Sequence, residues 1–348
     1  MAATRTMSLT RPSDPDVGSN PWQFSVGLVM AAMGVMLLMV LFIVSAVVAG
    51  WVSDQDPAKF GRIGAYQSWL LPVAMAAVAT VMVGIAIILW GIVRRLWVRV
   101  EGLKESLPSL IERGGATDVQ PLRTNIGPVT VTATGTGQSM IHTIANWMWV
   151  PMIMMGVMAI ATSIGLGVAQ ASVGSDLGEE FTALRQANFE TLKPLTGAFV
   201  FLGIALLLSG ISFLLATILG ALRWGGGEVQ ESVGGQVKTL KMPLSAMIFL
   251  GLMMMGLMAQ FVAFGTLIYV AAQVHDAWAS ATAAGVPADI AAFDRANAYA
   301  VWVNPLRLVS VGVLLTGIVF ALYTISNVLR FQFSRIRELI TGAEEGGA

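Results

Sequence analysis

Charged positions divide the chain into six long apolar intervals. No Asp, Glu, Lys or Arg occurs in 17–53, 63–93, 124–175, 194–222, 242–275 or 308–329. Each interval holds a continuous apolar run that reaches the about 20 helical residues needed to cross a bilayer. The pattern predicts spans over 24–52, 69–93, 147–171, 195–222, 243–273 and 302–329. A bilayer offers no water to backbone N–H and C=O groups, so these spans must be helices. The strands of a membrane barrel would instead be short and alternate in polarity. The expected fold is an all-α integral membrane protein with six transmembrane helices. The first run is about twice an ordinary signal-peptide core, and Asp14 and Asp16 precede it, so it is read as a retained helix.

The apolar runs repeat one another. The odd spans carry Met33-Gly34-Val35-Met36, Met155-Gly156-Val157-Met158 and Met255-Gly256-Leu257-Met258. The even spans carry Gly84-Ile85, Gly210-Ile211 and Gly317-Ile318. From each of those glycines the same offsets reach Ile92, Ile218 and Ile325, then Leu96, Leu222 and Leu329, then Glu105, Glu231 and Glu338. Pro21 and Pro243 stand equally far before Gly34 and Gly256, as do Pro72 and Pro305 before Gly84 and Gly317. Apolar composition can create one such match, but the same marks in order in three successive hairpins point to a repeat. The expectation is three tandem parallel two-helix hairpins, at 1–120, 121–240 and 241–348. Parallel copies differ from the inverted repeats of many transporters. They can close into a pseudo-threefold ring or lie in a row.

Charge then supplies an orientation. Arg94, Arg95, Arg99, Lys104, Arg223, Lys238, Lys241, Arg330, Arg335 and Arg337 flank the spans on one side. The opposite loops and their edges hold only Lys59, Arg62, Arg185, Lys193, Arg295 and Arg307. The positive-inside rule puts the basic side, with the N and C termini, in the cytoplasm. The expected location is the inner (plasma) membrane of a prokaryote, with multiple passes. All 10 Trp fall at or near span ends, as an interfacial belt requires.

Composition narrows the function. Charged residues make up 11% of the 348 residues and hydrophobic residues 56%. That balance excludes an ordinary soluble domain, and 20 basic against 20 acidic residues leave no excess for nucleic acid. The absence of Cys removes disulfides, thiolate metal sites and Cys nucleophiles within this chain. His142 and His275 fall on opposite membrane sides and cannot share a metal within one subunit. No ionisable residue lies near mid-span, where proton relays and ion pathways are usually marked. Arg307 sits at a span edge after Pro305 and is placed to snorkel to the outer interface.

The candidate positions are therefore packing and thioether residues. Gly34, Gly84, Gly156, Gly210, Gly256 and Gly317 are expected at helix contacts, because small residues let membrane helices approach closely. Ala76, Thr80 and Gly84 form a small-residue ladder, and Gly27 and Ala31 a second pair. Met33, Met36, Met155, Met158, Met255 and Met258 could form stacked thioether triangles for Cu(I) in a threefold ring. Their ordinary reading is as fillers of irregular gaps between helices. Asp176, Glu179 and Glu180 could share a helix face and attract a cation, although solvated loop charge explains them better because no further ligand set accompanies them.

Outside the spans, 94–113 continues the second helix until Pro108 and Gly114-Gly115 end it, and 126–134 alternates as a short strand or hairpin. Gly225-Gly226-Gly227 reads as a flexible break without the features of a phosphate loop. The third outer loop, Ala-rich with Pro287, is expected to hold a short surface helix. Together these features favour a non-catalytic structural or accessory subunit of a membrane assembly, pairing with itself or with other membrane subunits. The alternative is a channel or carrier for a neutral or soft solute lined by the Met/Gly helices. No cofactor is implied, apart from the Cu(I) option.

Overall fold

The computed structural model describes residues 22–53, 60–113, 129–132, 140–177, 182–232, 237–240, 243–281 and 286–341. Six helices account for nearly all of them: α1 (Trp22–Ser53), α2 (Phe60–Arg113), α3 (Met140–Leu177), α4 (Ala183–Ser232), α5 (Leu244–Ala279) and α6 (Ile290–Thr341). All six are long and apolar enough to cross a membrane, so the chain is a multi-pass helical protein of a lipid bilayer. The even helices run well beyond that need. At 54 residues α2 is about 80 Å long, against about 30 Å of hydrocarbon.

Chain neighbours pack in pairs, α1 on α2, α3 on α4 and α5 on α6. Further interfaces join α2 to α3 and α4, and α4 to α5 and α6. The even helices thus form one layer with α4 at its centre, and α1, α3 and α5 pack on that layer. The most apolar stretch of α4 is 83% buried, whereas that of α1 is 17% buried. Around α4, Leu207, Leu208, Leu214, Leu215 and Ile218 meet Ala79 and Ala86 of α2, Ile160 of α3, Phe249 and Met253 of α5, and Leu314 of α6. Within that layer α2 and α6 barely meet, and no packed interface joins α6 to α1 among the described residues.

A small sheet marks one end of the bundle. β1 (Val129–Thr132) pairs antiparallel with β2 (Val237–Leu240), with Val129 opposite Leu240 and Thr132 opposite Val237. The alternation at 126–134 predicts the first strand. Its partner carries Lys238 and Lys241 nearby and gives no comparable signal. Gln230 near the end of α4 secures β2: its Nε2 donates to the Lys238 and Gly226 carbonyls, and its Oε1 accepts from the Lys238 N–H.

Three expectations need correction. α2 passes through Pro108 and ends at Arg113. The Gly225–Gly227 segment is helical within α4 rather than a break. Its glycines serve close approach: a Cβ on Gly225 would stand 2.5 Å from Val100 Cγ2 of α2, and one on Gly226 would overlap the Gln332 amide of α6. Tertiary packing here overrides the poor helix propensity of Gly. The third outer connection holds no separate helix among its described residues, since α5 continues to Ala279 and α6 begins at Ile290.

Candidate functional site

The six repeat glycines are all buried. Gly84 faces α1 so closely that a Cβ would stand 2.6 Å from the Gly27 carbonyl oxygen and 3.0 Å from the Ala31 nitrogen. Gly34 meets the Ala77 carbonyl and Val81 of α2, and Gly156 meets Leu207 and the Gly203 carbonyl of α4. Gly210 meets Ile153 of α3, and Gly256 meets Leu314 and the Ser310 carbonyl of α6. Gly317 is looser, with Leu252 Cβ 3.5 Å from where its own Cβ would stand. Except at Gly317, the facing atoms leave no room for a Cβ, so these crossings depend on dispersion contact at short range.

The six repeat methionines face the other way. Met33, Met36, Met155, Met158, Met255 and Met258 are each 44–67% exposed, on helices that pack on the even helices rather than on one another. Gly165 of α3 and Gly251 and Gly265 of α5 are also exposed, with open space where a Cβ would stand. Met253, by contrast, is buried in the central cluster.

Polar side chains join the helices at a few buried points. Ser245 of α5 and Thr324 of α6 share a hydrogen bond of 2.7 Å. Ser310 donates to Gln260 Oε1 at 2.6 Å, while the fully buried Gln260 leaves its Nε2 without a partner. Arg307 lies between α6 and α4 with its guanidinium 4.6 Å from the Phe201 ring centroid, and it donates to Asn304 Oδ1. Its Nε has no hydrogen-bond acceptor. The side chain is therefore held against aromatic and apolar surface rather than fully extended into water.

His142 is buried in the first turn of α3 against Gly220 of α4, and His275 of α5 is partly exposed, 3.8 Å from Asp276. No group of three or more His, Cys, Asp or Glu gathers for a metal among the described residues. The side chains of Asp176, Glu179 and Glu180 lie outside the described residues.

A cavity of about 320 Å³ opens among α2, α3 and α4 near the sheet end. Its lining is Trp90, Val93, Arg94, Asn146, Trp149, Leu214 and Thr217. The Trp90 and Trp149 rings lie 6.4 Å apart, tilted by 36°, and Trp22 meets Trp90 edge-on at 5.7 Å. Sequence reasoning identified these Trp only as interfacial. Convergence of α2, α3 and α4 on one space depends on helix rotation, which apolar runs without strong periodicity do not encode.

No protein-family model, no curated protein and no solved structure matches this chain.

Proposed function

We propose that this chain is a non-catalytic structural or accessory subunit of a membrane assembly in a prokaryotic plasma membrane. In this reading three parallel hairpins stand with both termini in the cytoplasm, and α1, α3 and α5 pair with another copy or with other membrane subunits. One observation carries the proposal: the same two methionine positions recur on α1, α3 and α5, and all six face outward. Lipid requires only that such a face be apolar, which Leu, Ile or Val would satisfy. Repeated Met instead suits a helix surface that must adapt to a partner, because the thioether is flexible and polarizable. The alternative, a channel or carrier lined by these helices, has less support. Leu207, Leu214 and Leu314 fill the centre of the bundle, and the thioethers are directed away from it.

Photo-crosslinking residues placed singly at 36, 158 and 258 test the proposal in native membranes. At least one position should give a discrete protein adduct containing a second copy or a membrane subunit, while the buried position 253 should give none. Only monomer and lipid adducts at all three outer positions would overturn the reading.

A further inference from the structure

The cavity among α2, α3 and α4 combines features that ordinary packing does not require. Arg94 and Asn146 are exposed at its lining, and neither makes a hydrogen bond or ion pair among the described residues. The neighbouring Arg95 is differently engaged, 4.6 Å from the Phe24 ring centroid. The rest of the wall is indole and aliphatic: Trp90, Trp149, Val93 and Leu214. Thr217 adds little polarity, because its hydroxyl donates to the Phe213 carbonyl within α4.

The corresponding place one hairpin further along the chain is filled. In the repeat register Arg94 and Trp90 correspond to Gly220 and Ala216, Asn146 and Trp149 to Ala246 and Phe249, and Leu214 and Thr217 to Ala321 and Thr324. There Ala246, Phe249 and Ala321 are buried, and Thr324 is hydrogen-bonded to Ser245. The opening among α2, α3 and α4 is therefore particular to that junction.

We propose that this cavity is a binding site for one anionic phospholipid, such as a phosphatidylglycerol. The Arg94 guanidinium and the Asn146 amide hold the phosphodiester, and Trp90 and Trp149 flank the glycerol region. Val93 and Leu214 form the inner wall, and the acyl chains leave on the open side, between α2 and α3, into the bilayer. Four physical features select this ligand. A guanidinium supplies charge-assisted, fork-shaped donors to phosphate oxygens. Indoles concentrate at the depth of the glycerol and headgroups. Basic pockets between membrane helices are suited to anionic headgroups. A volume of about 320 Å³ admits a headgroup and its glycerol but leaves the tails outside. A free phosphate ion shares the Arg94 chemistry but makes no use of the two indoles or the aliphatic wall.

The test uses the full chain in nanodiscs of phosphatidylcholine with or without phosphatidylglycerol, followed by native mass spectrometry of the released protein. One phosphatidylglycerol should remain bound per chain in preference to phosphatidylcholine. The Arg94→Gln/Asn146→Ala variant should lose that preference about tenfold, as expected when charge-assisted hydrogen bonds are removed. Arg94→Lys should keep part of it. Both side chains are exposed and unpaired, so thermal unfolding of the double variant should match that of the parent. Equal retention of the two lipids, or equal retention by parent and double variant, would overturn the proposal. Displacement of phosphatidylglycerol by excess inorganic phosphate would assign the site to the free anion and would overturn the lipid reading too.

Discussion

Glycine has three different meanings along these helices, and the meaning depends on what lies opposite. At Gly84 the neighbour is the backbone of α1, with the Gly27 carbonyl in the way of any Cβ. At Gly317 the neighbour is at ordinary van der Waals distance, and at Gly265 there is open space. Gly84→Ala should therefore destabilise by about 1–3 kcal/mol through overpacking. Gly317→Ala should be close to neutral. Gly265→Ala should stabilise by about 0.5–1 kcal/mol, because Ala loses less backbone freedom than Gly in a helix. Unfolding midpoints in a denaturing-detergent titration would rank the three variants, and equal shifts would contradict the assignment. The sequence register marks Gly84, Gly210 and Gly317 as equivalent. Their differing tightness was not legible there, because it depends on the separation of two helix axes that no local pattern records.

At the scale of elements, the strongest sequence signal was the apolar run, and it located all six helices. The ends were less legible. Arg94–Arg113 reads as a helical continuation of the second span and is one, but α2 also carries through Pro108, where the sequence suggested a stop. The glycines at 225–227 were misleading as well. Their low propensity suggested a break, whereas their missing side chains let Val100 and Gln332 approach α4. Beyond that crossing, Gln230 holds β2 through two hydrogen bonds to the Lys238 backbone, while a third from the same amide goes to the Gly226 carbonyl within α4. Gln230→Ala removes all three and leaves β2 tied by its pairing with β1 and by flanking contacts. Amide exchange at Val237–Leu240 should accelerate by at least tenfold, while exchange in the middle of α4 stays unchanged. Unchanged protection of the strand would assign its order to the sheet alone.

For the whole molecule, the sequence indicated three similar hairpins but carried no information on how unequally they are buried. The similarity lies in the repeated glycine and methionine marks, whereas burial depends on position in the assembly. The second hairpin contributes α4, which touches α2, α3, α5 and α6, while the first contributes α1, packed on α2. Local stability follows the number of sides on which a helix is supported, since each buried face removes a route for local opening. The two helices also differ in how they could separate. Pulling α4 away disrupts the central leucine cluster and its interfaces with α2, α3, α5 and α6 at once. Lifting α1 breaks the Gly27–Gly84 and Gly34–Val81 crossings and leaves the other five helices in contact. Hydrogen exchange of the full chain in nanodiscs should therefore show the middle of α1 opening before the middle of α4. Around Gly34 the opening free energy should lie below the global value, and around Leu207 it should equal it. In the same disc α1 is shielded mainly by lipid and α4 mainly by protein, so comparison of the two segments reads the difference in helix packing. Equal opening energies in α1 and α4 would mean that the six helices unfold as one unit despite their unequal burial.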